Sequence, residues 1–518
     1  MKQHTPAGAP TLSETFPAFV RAAAAAYGDE PAITFSGETL ADDAISFREL
    51  ERKSAEIARG LLAVGVGKGT RIGFIYCNGP MFAVLFAAIA RAGAVAVPIS
   101  TLIKSNELVR VLRQSDVAGL IVQRSMLGKD FVTRLCDALP ELTNASPDLR
   151  LRQAPFLRWI ASSGDALPAA FRPLDWLTAQ AATVSEELLR EVEAEIHTTD
   201  QLLEIYTSGS MALPKGVKHN HGPVLQRIHY IRKMVTTIQR GVPVPAPLPM
   251  FWVGGLLMHL LANWEAGAIT VCAERTLSNS QMAMGSVLAD DDLARLPRMP
   301  TIWALGLTET FGPYAYADVL RVPGYPLCPP LDHIAEGFEV RLVDAQNNPV
   351  ADGEKGEIQV RGYALTTALH KLERSLHFTP DGFYRSGDMG VVEGGRILFV
   401  GREGDMIKTA NSNVSPAEVE LEMQQLDGVH SAYVVGIPDA ERGQLLVAAV
   451  VPRDGMSVDT LELHKELTRR LSSFKVPREY VILSRNEVPV LHSNKVSRRE
   501  IEKLVAQRLA AGRASLKQ

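Results

Sequence analysis

The first 200 residues alternate two hydrophobic patterns. The segment ISFRELERKSAEIARGLLAVGV is apolar at helical spacing, and the apolar run RIGFIYC follows it. A second helical segment, from Met81, leads into GAVAVPI, and the helix SNELVRVLRQ leads into DVAGLIV. The run QLLEIY is one more such strand, and a helix follows it. Apolar runs that alternate with helices predict βαβ units and a mainly parallel sheet.

Near Phe338 the hydrophobic period changes to two. The stretch FEVRLVDAQNNPVADGEKGEIQVRG predicts two antiparallel strands around an Asn-Asn turn, and RILFVG continues them. The last segment has strands and helices of its own, enough for a small α+β domain. Glycines in GREGDMIK loosen the backbone before it.

The predicted class is α/β. A large N-terminal domain, residues 1–400, has mainly parallel αβ layers and a small antiparallel β region. A hinge at 401–405 joins it to a small, mobile α+β lid domain at 406–518. This division also suits the length, because 518 residues exceed one ordinary domain.

Composition and charge indicate which partners and which cellular compartment the protein is expected to have. The chain is 46% hydrophobic and 22% charged, as in ordinary globular proteins, and its net charge of −4 provides no basic surface for nucleic acid. The four cysteines form no CxxC pair, which excludes a local zinc knuckle and favours a reducing compartment. The apolar segment from Met81 is interrupted by Arg91 and ends at Pro98, so it predicts a buried helix and strand. We therefore expect a cytoplasmic protein without a transmembrane segment or a nucleic-acid partner.

A candidate phosphate site follows the strand QLLEIY. The stretch TSGSMALPKG is not a Walker loop, because its lysine follows proline and precedes glycine. The hydroxyls of Thr207, Ser208 and Ser210, the backbone N–H groups of the Gly-Ser turn and the ammonium of Lys215 could together bind a polyphosphate. Taken alone, the stretch is equally compatible with a surface hairpin loop.

Four later segments favour the phosphate site over the surface loop: GLTETFG from Gly306, YRSGD from Tyr384, GREGDMIK from Gly401 and PVLHSNKVSRREI from Pro489. With TSGS…PKG and in this order, they resemble the motifs of the adenylate-forming (AMP-binding) superfamily, over nearly the whole chain. The family includes acyl-CoA synthetases, peptide-synthetase adenylation domains and luciferases. The resemblance implies an AMP-forming acid–thiol ligase that uses ATP, Mg²⁺ and coenzyme A. A carboxylate would attack the α-phosphate to give acyl-AMP and pyrophosphate, and a thiol would then displace AMP.

The resemblance also implies residue roles. The β- and γ-phosphates would be bound by Thr207, Ser208, Gly209, Ser210 and Lys215. Thr308 would contact the α-phosphate and Glu309 would bind Mg²⁺. Asp388 would accept hydrogen bonds from both ribose hydroxyls, because an ionised carboxylate has two acceptor oxygens. Arg402 would add a donor near the ribose.

Two further roles concern the lid domain. Lys495 would carry the first step, since a lysine between two anions reverses their repulsion. The family usually has a charged residue at the hinge, where this chain has Gly404; glycine supplies the backbone rotation without steric cost.

The acid would bind along MFWVGGLLMHLL, from Met250. The residues assigned to this acyl pocket are Trp252, Gly254 and Gly255. Amino-acid-activating relatives have an aspartate where this chain has Trp252. An uncharged tryptophan favours a fatty or aryl acid, although core packing explains the residue equally well in isolation.

Two departures from the family leave alternatives open. Met211-Ala212 replace a usual Thr-Gly, and the chain is short around residues 273–300, where the family has a further strand, a helix and an adenine-contacting loop. These departures motivate one alternative, a catalytically weak or inactive homologue. The other alternative is an acyl-AMP ligase that loads a carrier-protein thiol, because the sequence does not identify the thiol acceptor.

Overall fold

The computed structural model describes residues 13–103, 105–207, 214–235, 237–274, 303–317, 333–394, 396–402, 407–409, 412–414, 416–439, 443–471, 475–490 and 496–515. The chain divides into two compact units. Unit 1 comprises Met1–Met299, Leu307–Gly312 and Tyr363–Leu376, and unit 2 comprises Pro300–Gly306, Pro313–Gly362 and His377–Gln518.

The strands of unit 1 are β1 (Pro31–Ser36), β2 (Asp43–Ser46), β3 (Arg71–Ile75), β4 (Val95–Pro98), β5 (Gly119–Val122), β6 (Ser125–Met126), β7 (Lys129–Asp130), β8 (Trp159–Ser162), β9 (Phe171–Pro173), β10 (Gln201–Thr207), β11 (Lys215–Asn220), β12 (Pro243–Pro245) and β13 (Ile269–Ala273). Its α-helices are α1 (Phe16–Tyr27), α2 (Phe47–Ala63), α3 (Pro80–Arg91), α4 (Ser105–Ser115), α5 (Phe131–Ala138), α6 (Asp175–Gln180), α7 (Glu186–Ala194), α8 (His221–Met234) and α9 (Ala262–Ala266). A π-helical segment, Gly255–Leu261, precedes α9.

The main sheet of unit 1 has seven strands in the order β11-β10-β4-β3-β5-β8-β9. Its strands pair in parallel except for β10 and β11, which form an antiparallel hairpin. Successive strand residues enter opposite cores: Phe74 packs in a core with α1–α3 and α8, whereas Ile75 packs in a core with α4 and α5. Because both faces are covered, the central strands β4 and β5 are apolar throughout, as the sequence pattern predicts.

A second sheet of unit 1 has the order β12-β13-β1-β2. β13 pairs in parallel with both β1 and β12, and β2 pairs with β1 antiparallel. Between the sheets, α3 is buried over almost its whole surface. Its only charged residue, Arg91, is 3% exposed and forms ion pairs with Glu51 and Glu193. Nowhere in the described segments is a helix long and apolar enough to cross a membrane.

The strands from residue 303 onwards are β14 (Trp303–Leu307), β15 (Gly312–Ala317), β16 (His333–Ile334), β17 (Phe338–Val343), β18 (Lys355–Gly362), β19 (Tyr384–Glu393), β20 (Arg396–Arg402), β21 (Ile407–Thr409), β22 (Ser412–Val414), β23 (Val429–Asp439), β24 (Gly443–Pro452) and β25 (Glu479–Ile482). The helices are α10 (Pro416–Gln424), α11 (Thr460–Arg470) and α12 (Arg498–Ser515).

Unit 2 contains the antiparallel region that the two-residue period predicts. β17, β18, β19 and β20 form a four-stranded meander. Its first turn contains Asn347, whose φ of +64° lies in the left-handed region, and the Asp344 carboxylate accepts the N–H groups of Gln346 and Asn348. Asparagine and aspartate tolerate these conformations, which explains the Asn-Asn turn.

The C-terminal part of unit 2 is a five-stranded sheet, β22-β21-β24-β23, with β25 parallel to β24. Alternate residues again enter opposite cores. Leu446 packs in a core with α10 and α11, and Val447 packs in a core with α12. Helices therefore cover both faces of this sheet, as expected for strands whose successive side chains point to opposite faces.

Candidate active site

The predicted phosphate stretch begins and ends on the β10–β11 hairpin. Pairing runs from Leu203 with His219 to Thr207 with Lys215. The two predicted phosphate-binding residues at the ends of the loop, Thr207 and Lys215, are therefore direct cross-strand partners. Ser208, Gly209 and Ser210 lie outside the described residues.

Thr308 and Glu309 lie in a tight turn between β14 and β15, and both are half-buried. The hydroxyl of Thr310, fully buried, accepts the N–H of Leu307 at 3.1 Å and lies 2.7 Å from the carbonyl oxygen of Gly312, to which it can donate. Gly312 has φ +107°, and a Cβ there would lie 2.6 Å from a Leu257 methyl group. One side chain and one glycine therefore define the turn that presents Thr308 and Glu309.

Strand β11 holds this turn through His219. The His219 Nε2 lies 2.8 Å from the carbonyl oxygen of Thr308, and its ring contacts Phe311 with centroids 4.8 Å apart. Burial lowers the pKa of His219 to about 4, so the ring is neutral near pH 7. Because a carbonyl only accepts hydrogen bonds, Nε2 carries the proton. The same strand that begins with Lys215 thus binds the Thr308 turn.

A third segment, Tyr363–Leu376, joins both parts. Thr366 donates its N–H to the carbonyl of Glu309 at 2.7 Å and its hydroxyl to the carbonyl of Lys218 at 2.8 Å. His370 donates its N–H to the carbonyl of Gly216 at 2.8 Å. Lys215, Thr308 and Glu309 are therefore brought together by one hydrogen-bonded assembly within unit 1.

The predicted acyl segment begins in a loop that is anchored on Asn78. This buried side chain donates to the carbonyls of Ala246 and Leu248 and accepts the N–H of Met250 at 2.8 Å. Trp252 is half-buried against the main core and forms an edge contact with Phe251.

The two glycines of that segment open the helix that continues from Trp252. A Cβ on Gly255 would lie 2.1 Å from the carbonyl oxygen of Pro249, so only glycine fits there. A Cβ on Gly254 would be 3.4 Å from its nearest neighbour, Leu248, which is an ordinary contact. The helix continues as the π-helical segment, a form that is frequent at functional sites.

In unit 2, the two predicted ribose-binding residues are cross-strand partners. Asp388 on β19 lies opposite Arg402 on β20. Asp388 is 3% exposed, and its N–H donates to the Ser386 hydroxyl at 3.0 Å. Gly387 beside it has φ +69°, which favours glycine at this corner.

Lys495 and Gly404 lie outside the described residues, but the chain after Lys495 is firmly held. Val496 forms an antiparallel bridge with Val490. Arg498, at the start of α12, donates to both carboxylate oxygens of Glu420, at 2.7 and 2.8 Å. Val496, the residue that follows the predicted catalytic lysine, thus pairs with Val490 and packs against the core between the C-terminal sheet and α12.

His219, Thr310 and Thr366 were not among the residues predicted from the sequence. Thr310 stands inside the GLTETFG motif and His219 lies four residues after Lys215, so both had a sequence signal. Thr366 had no sequence signal, because its role depends on contacts with β11 and with the Glu309 turn that only the folded structure shows.

Comparison with known proteins identifies the class as that of the adenylate-forming enzymes. The chain belongs to the AMP-binding enzyme family: residues 20–303 match that family, and residues 418–495 match the AMP-binding enzyme C-terminal domain. The predicted family and fold class are confirmed.

Relatives and solved structures agree with this assignment. The chain is 28% identical over 501 residues to a feruloyl-CoA synthase of Amycolatopsis sp, covering 89% of this chain and 94% of the relative. It is 27% identical over 526 residues to an indoleacetate–CoA ligase of Aromatoleum aromaticum, covering 90% and 94%. The structure of the anthranilate CoA ligase AuaEII with anthranoyl-AMP has a TM-score of 0.79 at 20% identity, covering 98% of this chain and 100% of that one.

These findings confirm the predicted enzyme class, an AMP-forming acid–thiol ligase that uses ATP and coenzyme A. The relatives named above support neither of the alternatives, a carrier-protein ligase or an inactive homologue.

Proposed function

We propose that the protein joins an aryl or other uncharged carboxylic acid to coenzyme A through an acyl-AMP intermediate. The observation that carries the proposal is a set of hydrogen bonds. They join the strand that begins with Lys215, the turn that contains Thr308 and Glu309, and the segment Tyr363–Leu376. A nucleotide triphosphate needs cationic and N–H donors along its phosphates, and this assembly would supply them, with Lys215 as the cation.

In the first step a carboxylate oxygen attacks the α-phosphorus and pyrophosphate leaves. Thr207, Ser208, Gly209, Ser210 and Lys215 would bind the β- and γ-phosphates, and Thr308 the α-phosphate. Asp388 and Arg402 would bind the ribose. Two unit charges about 4 Å apart repel by about 4 kcal/mol at an effective dielectric near 20, and the Lys495 ammonium would offset this repulsion.

In the second step the coenzyme A thiolate attacks the acyl carbonyl, the acyl–oxygen bond breaks and AMP leaves. A lid domain from residue 406 would turn about Gly404 between the two steps. Thioester formation does not bring a carboxylate up to the α-phosphate, so Lys495 would serve only the first step.

Glu309 fits a magnesium site. Mg²⁺ binds proteins through one or two carboxylates together with substrate phosphates, and it retains water ligands. The Glu309 carbonyl is fixed by Thr366, which holds the residue in the turn beside Thr308. Bound there, Mg²⁺ would neutralise phosphate charge. Glu309→Gln should shift half-maximal adenylation to higher magnesium concentration, whereas an unchanged magnesium titration would contradict the assignment.

The acid class rests on the pocket segment and on the relatives. Trp252, Gly254 and Gly255 contribute no charge, so an ammonium or a second carboxylate would lack a partner there. The feruloyl, indoleacetate and anthranilate ligases are all named for acids with an aromatic ring. We therefore propose an aryl acid as the first candidate and a fatty acid as the second.

ATP–pyrophosphate exchange over a panel of acids tests the proposal. Hydroxycinnamic, benzoic and indoleacetic acids should support exchange, and amino acids should not. Adding coenzyme A should then yield the acyl thioester. A carrier protein that is loaded when coenzyme A is not would identify the alternative acceptor, and silence with every acid would contradict the proposal.

A further inference from the structure

A buried carboxylate lies beneath the phosphate hairpin. Glu204, on β10, has a fully buried side chain. Its Oε2 is 3.2 Å from the Arg71 Nε on β3 and accepts the Gln201 amide at 3.1 Å. Its Oε1 accepts the hydroxyl of Tyr206. The residue thus stands three positions before Thr207, inside a fully hydrogen-bonded cluster.

The cluster extends to the segment Tyr363–Leu376. The His370 Nδ1 lies 3.6 Å from the Glu204 Oε2 and 3.3 Å from an Arg71 Nη2. The His370 Nε2 is 3.2 Å from the Asp116 carboxylate, which also accepts the Lys371 ammonium at 2.5 Å. Charged groups from β3, β10, the turn after α4 and the 363–376 segment therefore meet under the hairpin.

Glu204 also touches the residue after Lys215. A Cβ on Gly216 would lie 2.6 Å from the Glu204 Oε1 and 2.7 Å from the Tyr206 hydroxyl. The glycine of the Pro-Lys-Gly motif is therefore required by its close approach to the carboxylate. Gly216 also receives the hydrogen bond from the His370 N–H, so the backbone beside Lys215 is held from two sides.

Buried ion pairs contribute little net stability compared with apolar side chains of the same size, so their value lies in the geometry that they impose. Here that geometry links two parts of the candidate site. The hairpin carries Lys215, and the 363–376 segment binds the Glu309 turn through Thr366.

We propose that Glu204 is a positioning residue for ATP, which fixes the strand that begins with Lys215 against the segment that holds the Glu309 turn. This inference rests on the proposed function, because it assumes that Lys215 and Glu309 bind the triphosphate. Glu204 itself touches no substrate in this scheme. It acts through Gly216, Arg71 and His370.

The chain offers a matched control. Glu193 is also fully buried and is paired with arginines, with its Oε1 2.5 Å from the Arg91 Nε and its Oε2 paired with Arg21, but it lies among the helices α1, α2, α3 and α7. Glu204→Gln and Glu193→Gln remove the same charge from equally buried carboxylates. Both should lower the melting temperature, whereas only Glu204→Gln should change the handling of ATP.

For Glu204→Gln we expect the KM for MgATP in pyrophosphate exchange to rise about tenfold, with the KM for the acid changed less than about twofold. Thioester formation from preformed acyl-AMP and coenzyme A should be unaffected, because that step contains no β- or γ-phosphate. Tyr206→Phe, which removes one hydrogen bond to Glu204, should raise the KM for MgATP about threefold and is the variant to use if Glu204→Gln does not fold.

Several results would overturn the role of Glu204. One is an equal effect of the two glutamine variants, and another is an equal loss in both half-reactions. A lowered KM for MgATP would also overturn it, because loss of a negative charge near the triphosphate acts in that direction if charge alone matters.

Failure of the proposed function would appear differently. A wild-type protein that gives no exchange with any acid would contradict the function, and calorimetric MgATP affinities of the wild type and the two glutamine variants would still decide the role of Glu204. A weaker affinity confined to Glu204→Gln supports it, and equal affinities, or no binding by the wild type, overturn it.

Discussion

His219, His221 and His259 show how burial sets protonation at the residue scale. Burial lowers the pKa of each to about 4. The hydrogen bond at His221 agrees, since its Nδ1 accepts the N–H of Phe16 at 3.1 Å and so carries no proton. Neutral imidazoles are thus part of the packed state of unit 1.

These histidines predict the acid sensitivity of the fold. In the unfolded chain these histidines become protonated as the pH falls through 6.5, whereas in the folded protein they stay neutral until about pH 4. Stability is therefore present in full above pH 6.5 and falls as the pH drops towards 4. Each histidine contributes on the order of 2 kcal/mol to the loss between pH 7 and pH 5.

Urea unfolding at pH 7 and pH 5 checks this prediction. His259→Gln should reduce the difference in unfolding free energy between the two pH values by one histidine's share. Parallel pH profiles of wild type and variant would contradict the burial argument for His259.

The candidate phosphate-binding residues stand in motifs that the sequence shows, whereas the residues that hold their backbone in place do not. Lys215 and Glu309 stand in local motifs of small, hydroxyl and charged residues. Thr366 and His370 act by contacts with strand β11, about 150 residues away in sequence. A local sequence pattern cannot show these contacts, because Thr366 and His370 meet β11 only in the folded protein.

At the element scale, apolar strands with both faces buried were the easiest to predict. β3, β4 and β5 have no polar face, and α4, between β4 and β5, has its apolar residues at helical spacing. The sheet β12-β13-β1-β2 was not predicted, because β1 pairs with β13, which lies far along the chain, and no local pattern shows that pairing.

The helix at the acyl segment gives a prediction at the same scale. Gly255→Ala should destabilise the protein by about 2 kcal/mol or more, because its methyl group would overlap the Pro249 carbonyl. Gly254→Ala is the matched control. Its φ of −62° and ψ of −48° are helical and its neighbour lies at contact distance, so it should be neutral or slightly stabilising.

Unfolding free energies of both glycine variants test this difference. Equal stability of the two would show that the Pro249 loop yields freely and that the close approach does not define the segment.

At the scale of the whole molecule, the proposed lid domain would serve the two half-reactions differently. Lys495→Ala should slow adenylation by about 10³-fold or more, since each ~1.4 kcal/mol of lost charge stabilisation is a factor of ten. Thioester formation from supplied acyl-AMP should be far less affected. Arg499→Ala, which changes a nearby cation on the same segment, is a suitable control. Equal losses of Lys495→Ala in both half-reactions would contradict the assignment.

The central claim is that the acid becomes attached to AMP before it meets the thiol. An acid labelled with ¹⁸O in both carboxylate oxygens tests it directly, in a reaction with ATP, Mg²⁺ and coenzyme A. One labelled oxygen per turnover should appear in AMP, because that oxygen bridges the acyl group and the α-phosphate in acyl-AMP and leaves with AMP. Label in inorganic phosphate or pyrophosphate, or thioester formation with unlabelled AMP, would contradict it.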